Sequence, residues 1–134
     1  MPGRSFSSAG QLAEALDAAA ARVKPALAVA LRHEGTLLRS LIQMHATGRP
    51  GPNVITSRYR ASWRVVSRPL AGGARVEVGT EAPQGRRLEW GFWDMTDSLG
   101  RHFFQPPYPH VQPSLEVLLP KLPEQLLKAV EEAL

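Results

Sequence analysis

Five residues between positions 89 and 110 carry side chains able to hold or move protons: Glu89, Asp94, Asp97, His102 and His110. A carboxylate beside a histidine is common equipment for general acid–base catalysis, because one group orients the proton that the other gives up. Their spacing matches no hydrolase or metal signature. Asp94 and Asp97 stand in a turn-like stretch, where aspartate commonly bonds its own backbone. Loop punctuation is therefore the preferred reading, and a hydrolase using Glu89 or Asp97 with His102 ranks last among the function classes. His33 and His45 are too far apart to share a metal through a short ligand motif, and there is no cysteine to complete a zinc site. Gly72-Gly73 lacks the spacing and the following Lys-Ser/Thr of a phosphate loop, and no nucleophile elbow occurs. The residues point to no enzyme, no metal and no cofactor.

Arginine offers a second chemistry. Between Gly35 and Val76 there is no acidic residue, while Arg39, Arg49, Arg58, Arg60, Arg64, Arg68 and Arg75 all fall there. The C-terminal stretch leans the other way, with Glu116, Glu124, Glu131 and Glu132 against Lys121 and Lys128. Such a bipolar chain, of net charge +4, can bind nucleic acid nonspecifically. It can equally bind copies of itself, basic middle against acidic end. Arg58, Arg60 and Arg64 alternate with Tyr59, Ala61, Trp63 and Val65, which predicts a strand with an arginine face and an apolar face. The first residues of this stretch also suit a short helical turn. Nucleic-acid readers place aromatics and cations on one face for stacking. Here the pattern separates them, which favours an interface or a solvated face.

The third feature is aromatic. Trp90, Phe92, Trp93, Phe103, Phe104 and Tyr108 crowd into a short stretch, more than a two-stranded hairpin easily covers. Aromatics are enriched at docking surfaces, so the stretch from 92 to 110 reads as a long docking loop.

The elements that must position these residues follow from periodicity. The chain has 134 residues, 43% hydrophobic and 21% charged, which fits one domain with a real core. No apolar run reaches signal-peptide or membrane-span length, which predicts a soluble product with no membrane partner, made in the cytoplasm. Residues 1–7 read as a loose arm, with Ser7 or Ser8 as a helix N-cap. Leu12, Leu16, Ala19, Val23, Leu27, Leu31, Leu38 and Leu41 then recur at helical spacing. This predicts one long helix kinked near Lys24-Pro25, or two helices meeting there, ending by Thr47-Gly48. Arg49 to Asn53 is loop by composition. After the first strand, a turn at Arg68–Gly73 and a second strand at Ala74–Val78 make an antiparallel hairpin. Pro83 opens a short helix through Trp90, and Gly91 stops it. Helix returns from Val111 or Pro113, is split by Pro120 and Pro123, and ends at Leu134. The fold class is α+β, in a single domain covering 1–134.

These segments, taken in order, resemble a known family: the small tail-component proteins of long-tailed bacteriophages, encoded beside head–tail connector genes. Members open with a long helical region. Thr56-Ser57-Arg58-Tyr59-Arg60-Ala61-Ser62 resembles the family's Thr-Gly-x-Leu-x-x-Ser segment, with Ser57 in place of the usual glycine. Val78-Gly79-Thr80 resembles its Val-Gly-Thr strand end. Gly85-Arg86-Arg87-Leu88-Glu89-Trp90-Gly91 looks like its Tyr-Ala-x-x-x-Glu-Phe-Gly, with Gly85 near the usual tyrosine–alanine. Pro107-Tyr108-Pro109-His110-Val111-Gln112-Pro113-Ser114 resembles its Pro-x-Pro-Phe-Leu-x-Pro-Ala, with His110 for the phenylalanine. The resemblance spans about two thirds of the chain. It implies a structural virion protein of the neck or tail end, a head–tail joining, tail-completion or terminator component. By analogy such a protein forms a ring with itself, sixfold at this position, that lets phage DNA pass through its lumen. Its other partners would be the connector or stopper proteins of the neck and the tail tube or terminator. Candidate interface residues on this reading are Arg58, Arg60, Arg64, Glu89, Trp90, Phe92, Trp93, Phe103, Phe104 and Tyr108. Glu89 would pair with a neighbour's arginine or cap backbone donors in its own loop. The alternative is a nonspecific DNA-binding module.

Overall fold

The computed structural model describes residues 5–54 and 57–134. In chain order the elements are α1 (Ala9–His45), α2 (Ser57–Ala61), β1 (Arg64–Leu70), β2 (Gly73–Gly79), α3 (Gly85–Trp90), β3 (Phe92–Thr96), β4 (His102–Gln105), α4 (Val111–Leu118) and α5 (Leu122–Ala133). A 3-10 turn at Leu119–Lys121 joins the last two helices. The class is α+β: two separate antiparallel hairpins, β1–β2 and β3–β4, are set among helices.

Helix α1 has 37 residues, and at about 1.5 Å per residue it runs roughly 55 Å. Ser8 caps it. The Gln11 backbone N–H donates to Ser8 Oγ at 3.2 Å, while Gln11 Oε1 accepts from the Ser7 N–H at 3.0 Å. Of the expected arm 1–7, residues 1–4 lie outside the described residues. Pro25 does not divide the helix. Proline removes a single donor there, and two contacts just before it brace the stretch. Arg22 Nε donates to the Ala133 carbonyl near the end of α5, and Lys24 Nζ to the Ala71 carbonyl at the tip of the first hairpin.

Gly35 is where the first hairpin lands on α1. A Cβ at this position would stand 2.5 Å from Val76 Cγ1 and 3.2 Å from Val65 Cγ1. A residue that weakens a free helix is needed here because the sheet approaches so closely. Gly35→Ala is therefore expected to cost about 1–3 kcal/mol by overpacking, despite alanine's better helix propensity. A lowered urea midpoint checks this. A raised midpoint would show that the hairpin simply lifts away.

The hairpin itself pairs Val65 with Val78, Ser67 with Val76 and Leu70 with Gly73, so its turn is only Ala71-Gly72. The expected turn at 68–73 is thus shorter, and Arg68, Pro69 and Leu70 belong to β1. Counting outward from the two-residue turn puts the Pro69 nitrogen on the open edge, where no ladder donor is needed.

Two further expectations are corrected. Of the two readings of the stretch from Arg58, the short helical turn holds for its first residues, since 57–61 form α2, and the strand begins only at Arg64. Tyr59 and Trp63 sit four apart, a spacing that serves a helical face as well as a strand face. Arg58, Arg60 and Arg64 therefore do not share one strand face. The stretch 92–110 is not an irregular loop, since it contains the β3–β4 hairpin. A register irregularity between Phe92 and Met95 hides its alternation from periodicity.

Few side chains are fully enclosed. Among the described residues the buried apolar side chains include Ile42, Ala46, Trp63 and Leu118. The accessible surface is 9553 Å². A compact monomer of 14.7 kDa would expose about 6,900 Å².

Candidate interaction site

The site is built on Glu89. It stands on the inner side of α3, 7% exposed, while its neighbour Trp90 points out at 72%. Glu89 Oε2 accepts from the backbone N–H groups of His110 at 2.8 Å and Val111 at 3.0 Å, and Oε1 accepts from Gln112 at 2.9 Å. These are donors that a helix start leaves without partners, so Glu89 caps α4 from a distant part of the chain. Burial pushes the carboxyl pKa up, but the three backbone donations and the adjacent His110 outweigh it and hold it below the usual carboxylate value. Of the two roles expected for Glu89, backbone capping is the one its geometry displays. It is not an exposed interface residue.

His110 is fully buried beside it. Its Nδ1 faces two acceptors, the Tyr108 carbonyl at 2.9 Å and Glu89 Oε2 at 3.0 Å, so Nδ1 carries the proton. Nε2 then accepts from the Tyr59 hydroxyl at 2.6 Å. Tyr59 keeps that proton firmly. Burial raises its pKa to about 12, with the nearby Trp63 indole opposing and the Glu89 charge adding. In Tyr108→Phe protein Tyr59 is the sole tyrosine, and its absorbance at 295 nm should rise near pH 12, about two pH units above a free phenol. Because the unfolded chain loses this proton first, stability should fall between pH 10 and 12. A titration near pH 10 with fold intact would contradict the buried hydroxyl.

A second branch ties in α1. Ser114 Oγ donates to the His110 carbonyl at 2.6 Å and accepts from His45 Nδ1 at 2.8 Å. Trp63 and Tyr59 stand edge-on to the His110 ring, with centroids 5.9 and 5.7 Å away. A hydroxyl, an imidazole and a carboxylate in series have the order of a proton relay. Here each group's hydrogen-bonding capacity is taken up inside the fold, which makes the series a structural knot. Sequence reasoning named Glu89 and His110 among the titratable candidates without pairing them, and did not join Tyr59, Ser114 or His45 to them. The only available signal was that all are polar residues on otherwise apolar faces. Among the described residues no three His, Asp or Glu side chains converge to hold a metal ion.

The knot anchors the β3–β4 hairpin, which begins at Gly91 and returns through Pro106-Pro107-Tyr108-Pro109. The Tyr108 N–H donates to the Leu88 carbonyl at 2.6 Å, and the Arg49 guanidinium lies 3.8 Å above the Tyr108 ring. Beyond this base the two strands pack chiefly on each other, as a projecting arm. Asp97 builds its tip, accepting from the N–H groups of Leu99 and Arg101, both at 2.9 Å, and from Arg101 Nε at 2.7 Å. This is the loop punctuation expected of it. Trp93 and Phe104 stack across the arm with centroids 4.7 Å apart, and remain 81% and 56% exposed. Phe103 on β4 is also exposed, and Phe92 is half-buried at the base.

The arginines lie elsewhere. Arg58 is exposed at the start of α2, and Arg64 is exposed at the start of β1. Arg60 is half-buried, with Nη1 donating to Thr47 Oγ1 at 3.3 Å. Among the described residues no helix is long and apolar enough to cross a membrane. Comparison of the chain with protein-family models, curated proteins and solved structures finds no match.

Proposed function

We propose that this protein is a structural component of the neck or tail end of a long-tailed phage particle, one subunit of a ring through which DNA passes. One observation carries the reading. Two of the four segments that bear the family resemblance, Gly85–Gly91 and Pro107–Ser114, are the segments that anchor the exposed aromatic arm. A motif that serves to hold out a docking element suits an assembly protein. The surface of 9553 Å², about 2,600 Å² more than a compact monomer of this mass needs, supports the same reading. It would supply the roughly 800 Å² per partner of a standard interface on each of two flanks. The remaining partners would be the connector or stopper proteins on one side and the tail tube or terminator on the other.

Light scattering and negative-stain images of the purified chain, alone and with neck proteins, test this. The expected result is a closed ring with a lumen. A monomer that ignores every neck protein would overturn it. Binding to random duplex DNA at physiological salt, with a steep salt dependence, would favour a DNA-binding module instead.

A further inference from the structure

A groove of about 410 Å³ runs between the second half of α1 and the α4–α5 region. Leu37, Leu41, Met44, Val117 and Leu118 make it apolar. Three of these are left open to solvent in the single chain, Leu37 at 42%, Met44 at 60% and Val117 at 45%. One lining residue does not belong in such a place. Glu34 is only 8% exposed, and its side chain has no hydrogen bond or ion pair among the described residues. His33 and Lys121 line the same groove, but neither lies within ion-pair distance of it. Its oxygens are not sealed from water, and they stand as acceptors with no partner among the described residues, open to a donor on any occupant. The groove therefore fits an occupant that is flat and apolar in body and carries an N–H donor.

The arm offers such a group. The Trp93 indole is 81% exposed, is stacked on Phe104, and has an N–H with no partner among the described residues. We propose that the groove receives the β3–β4 arm of a second copy of this chain. Trp93 fills it and donates its indole N–H to Glu34, while Phe104 covers the exposed Met44 and Leu37. This rests on the ring reading and names the contact that would close the ring. The donor and the acceptor lie on different parts of the chain, so the contact is head to tail, and repeating it generates a ring or an open filament. The surplus surface is of the size that such paired flanks would cover. Tryptophan is the residue most often found dominating contacts of this kind.

The chain lacks cysteine, which allows a direct test. Protein carrying only Phe103→Cys, which leaves Trp93 and Phe104 in place on the arm, is mixed with protein carrying only Val117→Cys and treated with a short bismaleimide. The expected product is a cross-link between the two different variants, well above either variant alone. In a second arm, Trp93→Phe and Glu34→Gln are each expected to weaken self-association about tenfold, and the double variant no more than either single. Unaltered association of Trp93→Phe/Phe104→Ser protein, or independent effects of the two single changes, would overturn the proposal. Rings that form without the arm would refute this contact but leave the ring reading standing. Open head-to-tail chains linked through the arm would do the reverse.

Discussion

Glu89→Ala is expected to lower the stability of this protein by about 3 kcal/mol, the loss that follows when charge-assisted bonds to three backbone donors are removed together. For a chain of this length that corresponds to a fall of roughly 10 °C in thermal midpoint. The cause is specific. His110, Val111 and Gln112 would each keep an N–H that nothing else in the fold reaches. Glu89→Gln separates shape from charge. With its oxygen at the Oε2 position the amide keeps the His110 and Val111 donors, now without the charge, and turns its NH₂ on the Gln112 N–H, so part of the loss remains. Acid behaves in the same way. Because the folded-state pKa of Glu89 is lowered, the unfolded chain takes up this proton first as pH falls. The contribution is complete above the ordinary carboxylate range and disappears as pH drops through the lowered value. Denaturation curves across that window should slope less for Glu89→Gln than for the wild type. Equal slopes and equal midpoints would remove Glu89 from the centre of the fold.

Gly91→Ala is the second large effect. Gly91 has φ 70° and ψ −178°, a region essentially confined to glycine. A Cβ there would lie 2.6 Å from the Gln105 carbonyl oxygen and 2.8 Å from the Pro107 nitrogen. Both are backbone atoms and cannot rotate away. Strain and overlap together should cost about 3 kcal/mol or more, and should move the base of the arm before they unfold α1. Tryptophan fluorescence and near-ultraviolet circular dichroism should change, while the helical far-ultraviolet signal persists below the midpoint. A variant with wild-type spectra and midpoint would show that the arm does not depend on this close crossing.

Much of the fold was legible in the sequence where one periodicity held without competition. The leucines of α1, the Ala74–Val78 alternation and the Pro83-to-Gly91 helix are of this kind. At Tyr59 strand and short helical turn both stood open because Tyr59 and Trp63 satisfy both periods, and only packing against His110 decides for the turn. The β3–β4 arm was hidden by its irregular register and by aromatics on both strands, which leave no polar alternation to read. The knot was the least visible part. Glu89 meets residues 21 to 23 positions later, and His45 meets Ser114 across 69. Such pairings leave no local pattern. Glu34 lay in plain sight as a helical glutamate, and only its burial marks it out.

The bonds from Glu89 to residues 110–112 fasten the two ends of the segment 90–109 to one point. Lengthening a segment whose ends are already joined costs little, with each doubling of loop length adding only about 0.6 kcal/mol of closure entropy. The turn around Leu99, which is 75% exposed, is therefore a natural place to write extra sequence into the chain. A short epitope or a fluorophore-binding tag inserted between Ser98 and Leu99 would sit at the turn of the β3–β4 arm. A single protease cut at the same point would leave a two-piece molecule still held together at its base.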